Sequence, residues 1–251
     1  GRVKKIKKFI DHILLLFNFE KLYFDKENVS CEFVGHPLLE NRVEDKIDIN
    51  QFVGKNKALF SIFAGSRISE INVLMPIFLN FIKYMEKKYN DITYVFHSTK
   101  AHKDLIHSYI KNSNTLNCEV VSDDKLKGHL LKKSIFAIAK SGTVSLEICN
   151  AKIPSIIVYK MNLINFLIVK MLVKIKYANI INIAAKEEII PELLQSKCNS
   201  KNIYNEVSKF LDTPSLVEEQ VRKTQTILNQ FKTSKSPSEQ TSEALNKIIL
   251  K

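Results

Sequence analysis

Two short glycine-containing turns carry the residue types that hold phosphate. Lys140-Ser141-Gly142-Thr143-Val144-Ser145-Leu146-Glu147 follows the apolar run Ile135 to Ala139 and opens a predicted helix. Small residues there let backbone N–H groups approach an anion closely, the helix start adds partial positive charge, and the hydroxyls of Ser141 and Thr143 supply further donors. Glu147 lies i,i+4 from Thr143 on the same helix face, where its carboxylate can accept hydrogen bonds from sugar hydroxyls beside the phosphate. The second turn, Ala64-Gly65-Ser66-Arg67, follows the apolar run Ala58 to Phe63 and precedes a long helical pattern. Ser66 is placed to cap that helix, and Arg67 to aim a forked, permanently charged guanidinium at a diphosphate. Either turn alone is common loop chemistry after a strand. Two in one chain point to a nucleotide-sugar site.

The elements that must position these turns alternate. Ala58 to Phe63, Ile92 to Phe96, Cys118 to Val121, Ile135 to Ala139 and Ser155 to Tyr159 read as continuous apolar strands. Between them lie helical patterns from Ile71 to about Lys88, Lys103 to Lys111, Asp124 to Lys132 and the turn to Asn150; in the first, Ile71, Leu74, Met75, Phe78, Phe81, Ile82 and Met85 share one face. Such alternation predicts an α/β fold, a parallel sheet with helices on both faces, and ligands on such sheets sit beyond the strand carboxyl ends. Both turns lie there. Ile13 to Phe17 reads as a further core strand, and the polar stretch beyond Lys201 as closing helices.

Composition narrows the chemistry further. The chain has 251 residues and a formal net charge of +12, spread along its length with clusters at Lys4 to Lys8 and at Lys170, Lys174 and Lys176. That balance suits anionic membrane surfaces, phosphorylated ligands or nucleic acid, and equally a plain lysine-rich bias. The basic clusters lack interleaved aromatics or a known motif, which argues against nucleic acid. Cys31, Cys118, Cys149 and Cys198 are far apart, with no C-x-x-C and no histidine at zinc-ligand spacing, so reduced buried thiols are expected and no metal site. No secretory signal is visible, which predicts a cytoplasmic chain. Residues 161–177 are strongly apolar, yet lysines interrupt them too closely for a bilayer-spanning helix of about 20 residues. A helix lying on a membrane surface and a helix buried between domains both remain open for this segment.

With these pieces placed, the sequence resembles the lipid-A-disaccharide synthase family, bacterial glycosyltransferases with the two-Rossmann-domain GT-B architecture. The resemblance is carried by Phe33-Val34-Gly35-His36-Pro37-Leu38, Ala64-Gly65-Ser66-Arg67 with Glu70, Ser141-Gly142-Thr143 with Leu146-Glu147, Val158-Tyr159-Lys160-Met161, and Asn182 followed by Pro191-Glu192-Leu193-Leu194-Gln195. It spans nearly the whole chain. The order and spacing of the motifs, rather than any one of them, make it specific.

The resemblance implies transfer of 2,3-diacylglucosamine from UDP-2,3-diacylglucosamine to 2,3-diacylglucosamine 1-phosphate (lipid X), releasing UDP, with no cofactor and no metal, at the inner face of the bacterial inner membrane. It implies a Rossmann-like UDP-sugar domain over 35–205, a remnant of an acceptor domain and linker over 1–34, and closing helices over 206–251. Gly65, Ser66, Arg67, Ser141, Gly142, Thr143, Glu147, Asn182, Glu192 and Gln195 would bind the UDP-sugar, the last two on a helix following Pro191. Ile181 stands where the family usually has proline. The opening residues Gly1 to Ile6 resemble a segment well inside the complete enzyme, which implies that most of the amino-terminal domain, with the acceptor site and the catalytic carboxylate, is missing. A trimmed chain, a split gene and a decaying copy all fit, and both an active chain and an inactive fragment stay open.

His36 has two readings: a proton shuttle near the cleft, or a ring bonded to nearby backbone while Gly35 and Pro37 shape a hinge. His97, His102, His107 and His129 are assigned no role. Another UDP-sugar GT-B enzyme, such as a cell-wall N-acetylglucosamine transferase or a 2-epimerase, and a non-catalytic UDP-binding remnant are the competing readings. A homodimer is compatible with the sequence but not specified by it.

Overall fold

The computed structural model describes residues 2–40, 49, 58–115, 117–161 and 176–250. It falls into two compact units, Gly1–Glu44 with Thr226–Lys251, and Asp45–Gln225. In the first unit helix α1 (Arg2–Ile6) leads to strand β1 (His12–Leu15), and helix α2 (Lys21–Asp25) returns the chain to strand β2 (Ser30–Phe33), parallel to β1. Leu15, Phe24 and Val29 form the small apolar centre of this βαβ turn. The first strand ends two residues earlier than the sequence predicts. Phe17 leaves it to pack edge-on against Phe231, with ring centroids 4.9 Å apart.

The second unit runs through β3 (Ala58–Phe63), α3 (Ile68–Met85), β4 (Ile92–His97), α4 (Lys103–Lys111), β5 (Cys118–Val121), α5 (Asp124–Lys133), β6 (Ser134–Lys140) and α6 (Val144–Asn150). It continues with β7 (Ser155–Tyr159), α7 (Ile180–Ala185), β8 (Glu192–Leu194), α8 (Ser200–Asp212) and α9 (Pro214–Asn229), the last crossing into residues of the first unit, where α10 (Pro237–Ile249) follows. The sheet order is β5-β4-β3-β6-β7-β8, and all the pairings are parallel.

The apolar strands are continuous because both faces of the sheet are covered. On one face α3 buries its predicted stripe, from Ile71 to Met85, against Phe60, Ile62, Tyr94 and Phe136, joined by Ile203, Val207 and Phe210 of α8. On the other face Leu130 of α5 meets Leu59, Val95 and Val121. Phe60 has no exposed surface, and its ring centroid lies 5.5 Å from that of Phe136 and 5.6 Å from that of Tyr94. Burying a side chain of this size contributes roughly 1.5–3 kcal/mol.

The register places the site. Phe63 pairs with His97 on β4 and with Ala139 on β6, so three neighbouring strands end level. The turns that follow them, Ala64–Arg67, Ser98–Thr99 and Ser141–Thr143, therefore leave the sheet at one edge.

One prediction needs correction here. No helix follows Pro191: Glu192 pairs with Ile157 and Leu194 with Tyr159, a short sixth strand, and a 3-10 turn over Gln195–Lys197 comes next. The open hydrogen-bonding edge of β7 recruits these residues before any helix can start. Of the cysteines, Cys149 and Cys198 are buried, and Cys31 and Cys118, expected buried, are only partly so; none is paired. Within 161–177, residues 162–175 lie outside the described residues. Among the described residues no helix is long and apolar enough to cross a membrane.

Candidate functional site

A cavity of about 260 Å³ opens at this edge of the sheet. Gly65 and Ser66 form one wall and Ser141, Gly142, Thr143 and Glu147 another, so the structure brings the two predicted turns together. His97, Asp124, Lys127 and Lys140 line it too, beside Phe63, Ser98, Thr99 and Val144.

The turn after β3 is built around Glu70. Gly65 has φ +108°, and a Cβ there would stand 2.6 Å from Glu70 Oε2, so both backbone and space require glycine. Ser66 does not cap α3 as predicted. Arg67 occupies the N-cap position without a side-chain bond, and Glu70 reaches back to accept from Ser66 N at 3.2 Å, the return arm of a capping box displaced by one residue. Glu70 Oε1 also receives Arg67 Nη1 at 3.0 Å and Lys140 Nζ at 3.2 Å, tying the two turns to one carboxylate. Burial alone pushes the Glu70 carboxyl up, but Lys140, then Arg67 and the Ser66 amide, outweigh it and hold it below the usual carboxylate value. Arg67, whose side chain is 73% exposed, stands outside the cavity wall.

The turn after β6 is tied to a distant loop. Ser141 Oγ donates to Ala178 O at 2.8 Å, so its proton is committed to the fold and not offered to a phosphate, contrary to the prediction. The Thr143 residue is exposed at the start of α6, which is seven residues long. Glu147 accepts an ion pair from Lys127 at 2.8 Å, and Lys127 also approaches Asp124 at 3.7 Å.

His97, to which the sequence assigns no role, ends β4 in the cavity wall. Its ring stacks on Phe63 at 4.4 Å with 10° between planes, and Nε2 lies 2.9 Å from Ser61 Oγ. Ser134 gives its only proton to Leu130 O, so Ser61 must donate to Ser134 (2.7 Å) and His97 Nε2–H to Ser61. The imidazole is thereby fixed as the Nε2–H tautomer, with Nδ1 buried and without a hydrogen-bond partner. Burial, and then the charge of Lys127, lower its pKa to about 3.

The structure does not bring Asn182, Glu192 or Gln195 into this wall. Asn182 is fully buried in α7: its amide donates to Ile190 O and Glu192 Oε1 and accepts from Ile189 N and Ile190 N, which fills its hydrogen-bonding capacity. Glu192 takes the amides of Ala178 (2.7 Å) and Asn179 (2.9 Å). Both residues support the site indirectly, because Ala178 is the residue that anchors Ser141. Gln195 adopts a left-handed φ of 53° beyond β8.

His36 lies in the first unit, where Nδ1 accepts from Leu38 N at 3.2 Å and burial lowers its pKa. It lines a larger cavity of about 440 Å³ with Phe231, Lys232 and the loop up to Ser238. Lys235 there is engaged by Glu243, and Glu40 by Ser238. Among the described residues no group of three or more His, Cys, Asp or Glu is gathered to hold a metal ion.

A family model described as lipid-A-disaccharide synthetase matches residues 1–248. The chain belongs to that family. A lipid-A-disaccharide synthase of Rickettsia prowazekii is 34% identical over 243 residues, 94% of this chain and 63% of the relative. One from Rhodospirillum centenum is 28% identical over 88% of this chain and 56% of its own length. The chain thus spans about three fifths of the length of the lipid-A-disaccharide synthases it matches. Among solved structures, a Staphylococcus aureus MnaA–UDP co-structure superposes with a TM-score of 0.66 at 12% identity, covering 98% of this chain and 61% of that one. A UDP-N-acetylglucosamine 2-epimerase described as putative, from Listeria monocytogenes, gives 0.59 at 13% identity, covering 84% and 54%. These structures share the fold with the lipid-A-disaccharide synthetase family member described here.

Proposed function

We propose that this chain carries the nucleotide-sugar site of a lipid-A-disaccharide synthase, with UDP-2,3-diacylglucosamine as donor and 2,3-diacylglucosamine 1-phosphate as acceptor. The observation that carries the reading is the single cavity lined by both turns at the carboxyl edge of a parallel sheet, in a chain of this family. In the transfer the acceptor hydroxyl attacks the anomeric carbon, the bond from that carbon to the diphosphate oxygen breaks, and UDP leaves with the bonding pair. Cations at the turns stabilise the charge that develops on the leaving diphosphate. Glu147, aimed by Lys127, takes the ribose hydroxyls. The base that removes the acceptor proton is assigned to the part of the relatives' length that this chain does not span. The compact unit Asp45–Gln225 contains most of the proposed 35–205 nucleotide-sugar domain. We place the protein on the inner face of the bacterial inner membrane, held there by its positive charge.

Isothermal titration with UDP tests the reading. Saturable binding is expected, weakened roughly tenfold to a hundredfold in Glu147→Ala, as for loss of a hydrogen bond to a charged group. Absence of heat with UDP, or binding unchanged by the substitution, would refute it. Disaccharide formation from labelled donor, by this chain alone and then with an amino-terminal half of a relative added, tests the assignment of the base. Product from the chain alone overturns it.

A further inference from the structure

We propose that Lys140, rather than Arg67, is the cation that meets the diphosphate in this cavity, and that Arg67 serves to keep Glu70 neutralised when Lys140 turns to the ligand. The inference rests on the nucleotide-sugar reading above and names the group that stabilises its leaving phosphate.

Position separates the two cations. The ammonium-bearing side chain of Lys140 is 20% exposed and lines the cavity beside Gly65, Ser66 and Gly142, whereas Arg67 stands outside the wall, 73% exposed. Lys140 is also held in place before any ligand arrives. Its Nζ is 3.2 Å from Glu70 Oε1 and 5.2 Å from the centroid of the Tyr159 ring, so the ammonium already stands at the wall and has one carboxylate contact to exchange for a phosphate oxygen.

The turn itself supplies little positive charge. With α6 only seven residues long and the Ser141 proton committed to Ala178 O, an anion there needs a formal cation, and Lys140 begins that turn. The other lysine of the wall, Lys127, is engaged by Glu147 at the sugar end.

Glu70 makes the exchange possible. Its Oε1 is shared by Lys140 and Arg67, so when a phosphate oxygen draws Lys140 away the carboxylate, 11% exposed, keeps Arg67 at 3.0 Å and its bond from Ser66 N. Without Arg67 that step would strand a shielded negative charge beside an incoming anion.

The experiment is a titration series with uridine, UMP, UDP and inorganic pyrophosphate on the wild-type chain and on Lys140→Met, Lys140→Gln, Lys140→Arg and Arg67→Ala, each first shown to melt cooperatively. Lys140→Met and Lys140→Gln are expected to leave uridine binding unchanged and to weaken UDP and pyrophosphate roughly tenfold to a hundredfold. Lys140→Arg is expected to recover most of that loss, and Arg67→Ala to cost less than either neutral variant. The proposal is overturned if the neutral variants bind UDP like the wild type, if they weaken uridine and UDP equally, or if Arg67→Ala costs more. A wild-type chain that binds pyrophosphate through Lys140 but no uridine ligand refutes the nucleotide-sugar reading and leaves the cation assignment standing. One that binds neither refutes both.

Discussion

Asn182 commits both lone pairs and both protons of its amide within one loop, to Ile190 O, Glu192 Oε1, Ile189 N and Ile190 N. Asn182→Ala takes the partner from the N–H and the C=O of buried Ile190, while Ile189 N keeps Glu187 O and Glu192 Oε1 keeps Asn179 N; each orphaned group costs about 1–3 kcal/mol. We expect the urea midpoint to fall by an amount equivalent to at least about 2 kcal/mol, with the m-value unchanged. An unaltered midpoint would show that the loop stands without this residue. The example also shows what the sequence leaves illegible at this scale. Asn182 and Glu192 stand out in the motif, but an amide or carboxylate facing a ligand and one facing its own loop have the same letters. Glu70 carries the same lesson: the sequence names it beside Arg67, and only the fold brings Lys140 to the same carboxylate. His97 could have been found, because it closes the apolar run Ile92 to Phe96 at a strand's carboxyl end, where ligands of parallel sheets sit.

The elements themselves were more legible than the contacts between them. Lys103–Lys111, Cys118–Val121 and Ser155–Tyr159 appear with the predicted boundaries, because polar and turn residues interrupt the apolar pattern between them. Glu192–Leu194 is too short for any period, and the neighbouring edge of β7 decides its form. The end of β4 has a measurable consequence of its own. His97 has a folded pKa of about 3 against 6.5 ordinarily, so between those values the unfolded chain binds a proton that the folded chain refuses. Stability is therefore expected to fall as pH drops from about 6.5 toward 3, by an amount on the order of a few kcal/mol. The groups around the ring are Ser61 and Ser134 from β3 and β6, and Lys127 from α5. Comparing urea unfolding at pH 6.5 and 5, before most carboxylates titrate, wild type should lose more stability than His97→Gln, with His36 supplying a residual slope of the same sign. Equal slopes in the two proteins would rule out His97 as the source.

At the scale of the molecule, the net charge of +12 sets a long-range field that favours anionic surfaces. The chain is expected to sediment with vesicles containing phosphatidylglycerol at about 50 mM salt and to be released by about 500 mM, where charges are screened within a few ångströms. Binding to phosphatidylcholine vesicles, or binding indifferent to salt, would show that apolar contact and not charge is responsible. Internal cohesion depends on a different kind of contact. The side chain of Gln220, on α9, accepts from Ser155 N at 2.7 Å and donates to Ser155 O at 3.1 Å and to Ile189 O at 3.2 Å. An amide that both gives and takes in this way behaves as one more peptide unit inserted at the first rung of β7. The opening of that rung is thereby governed by a helix 65 positions further along the chain, and fraying of the sheet's amino end has to wait for that helix to lift.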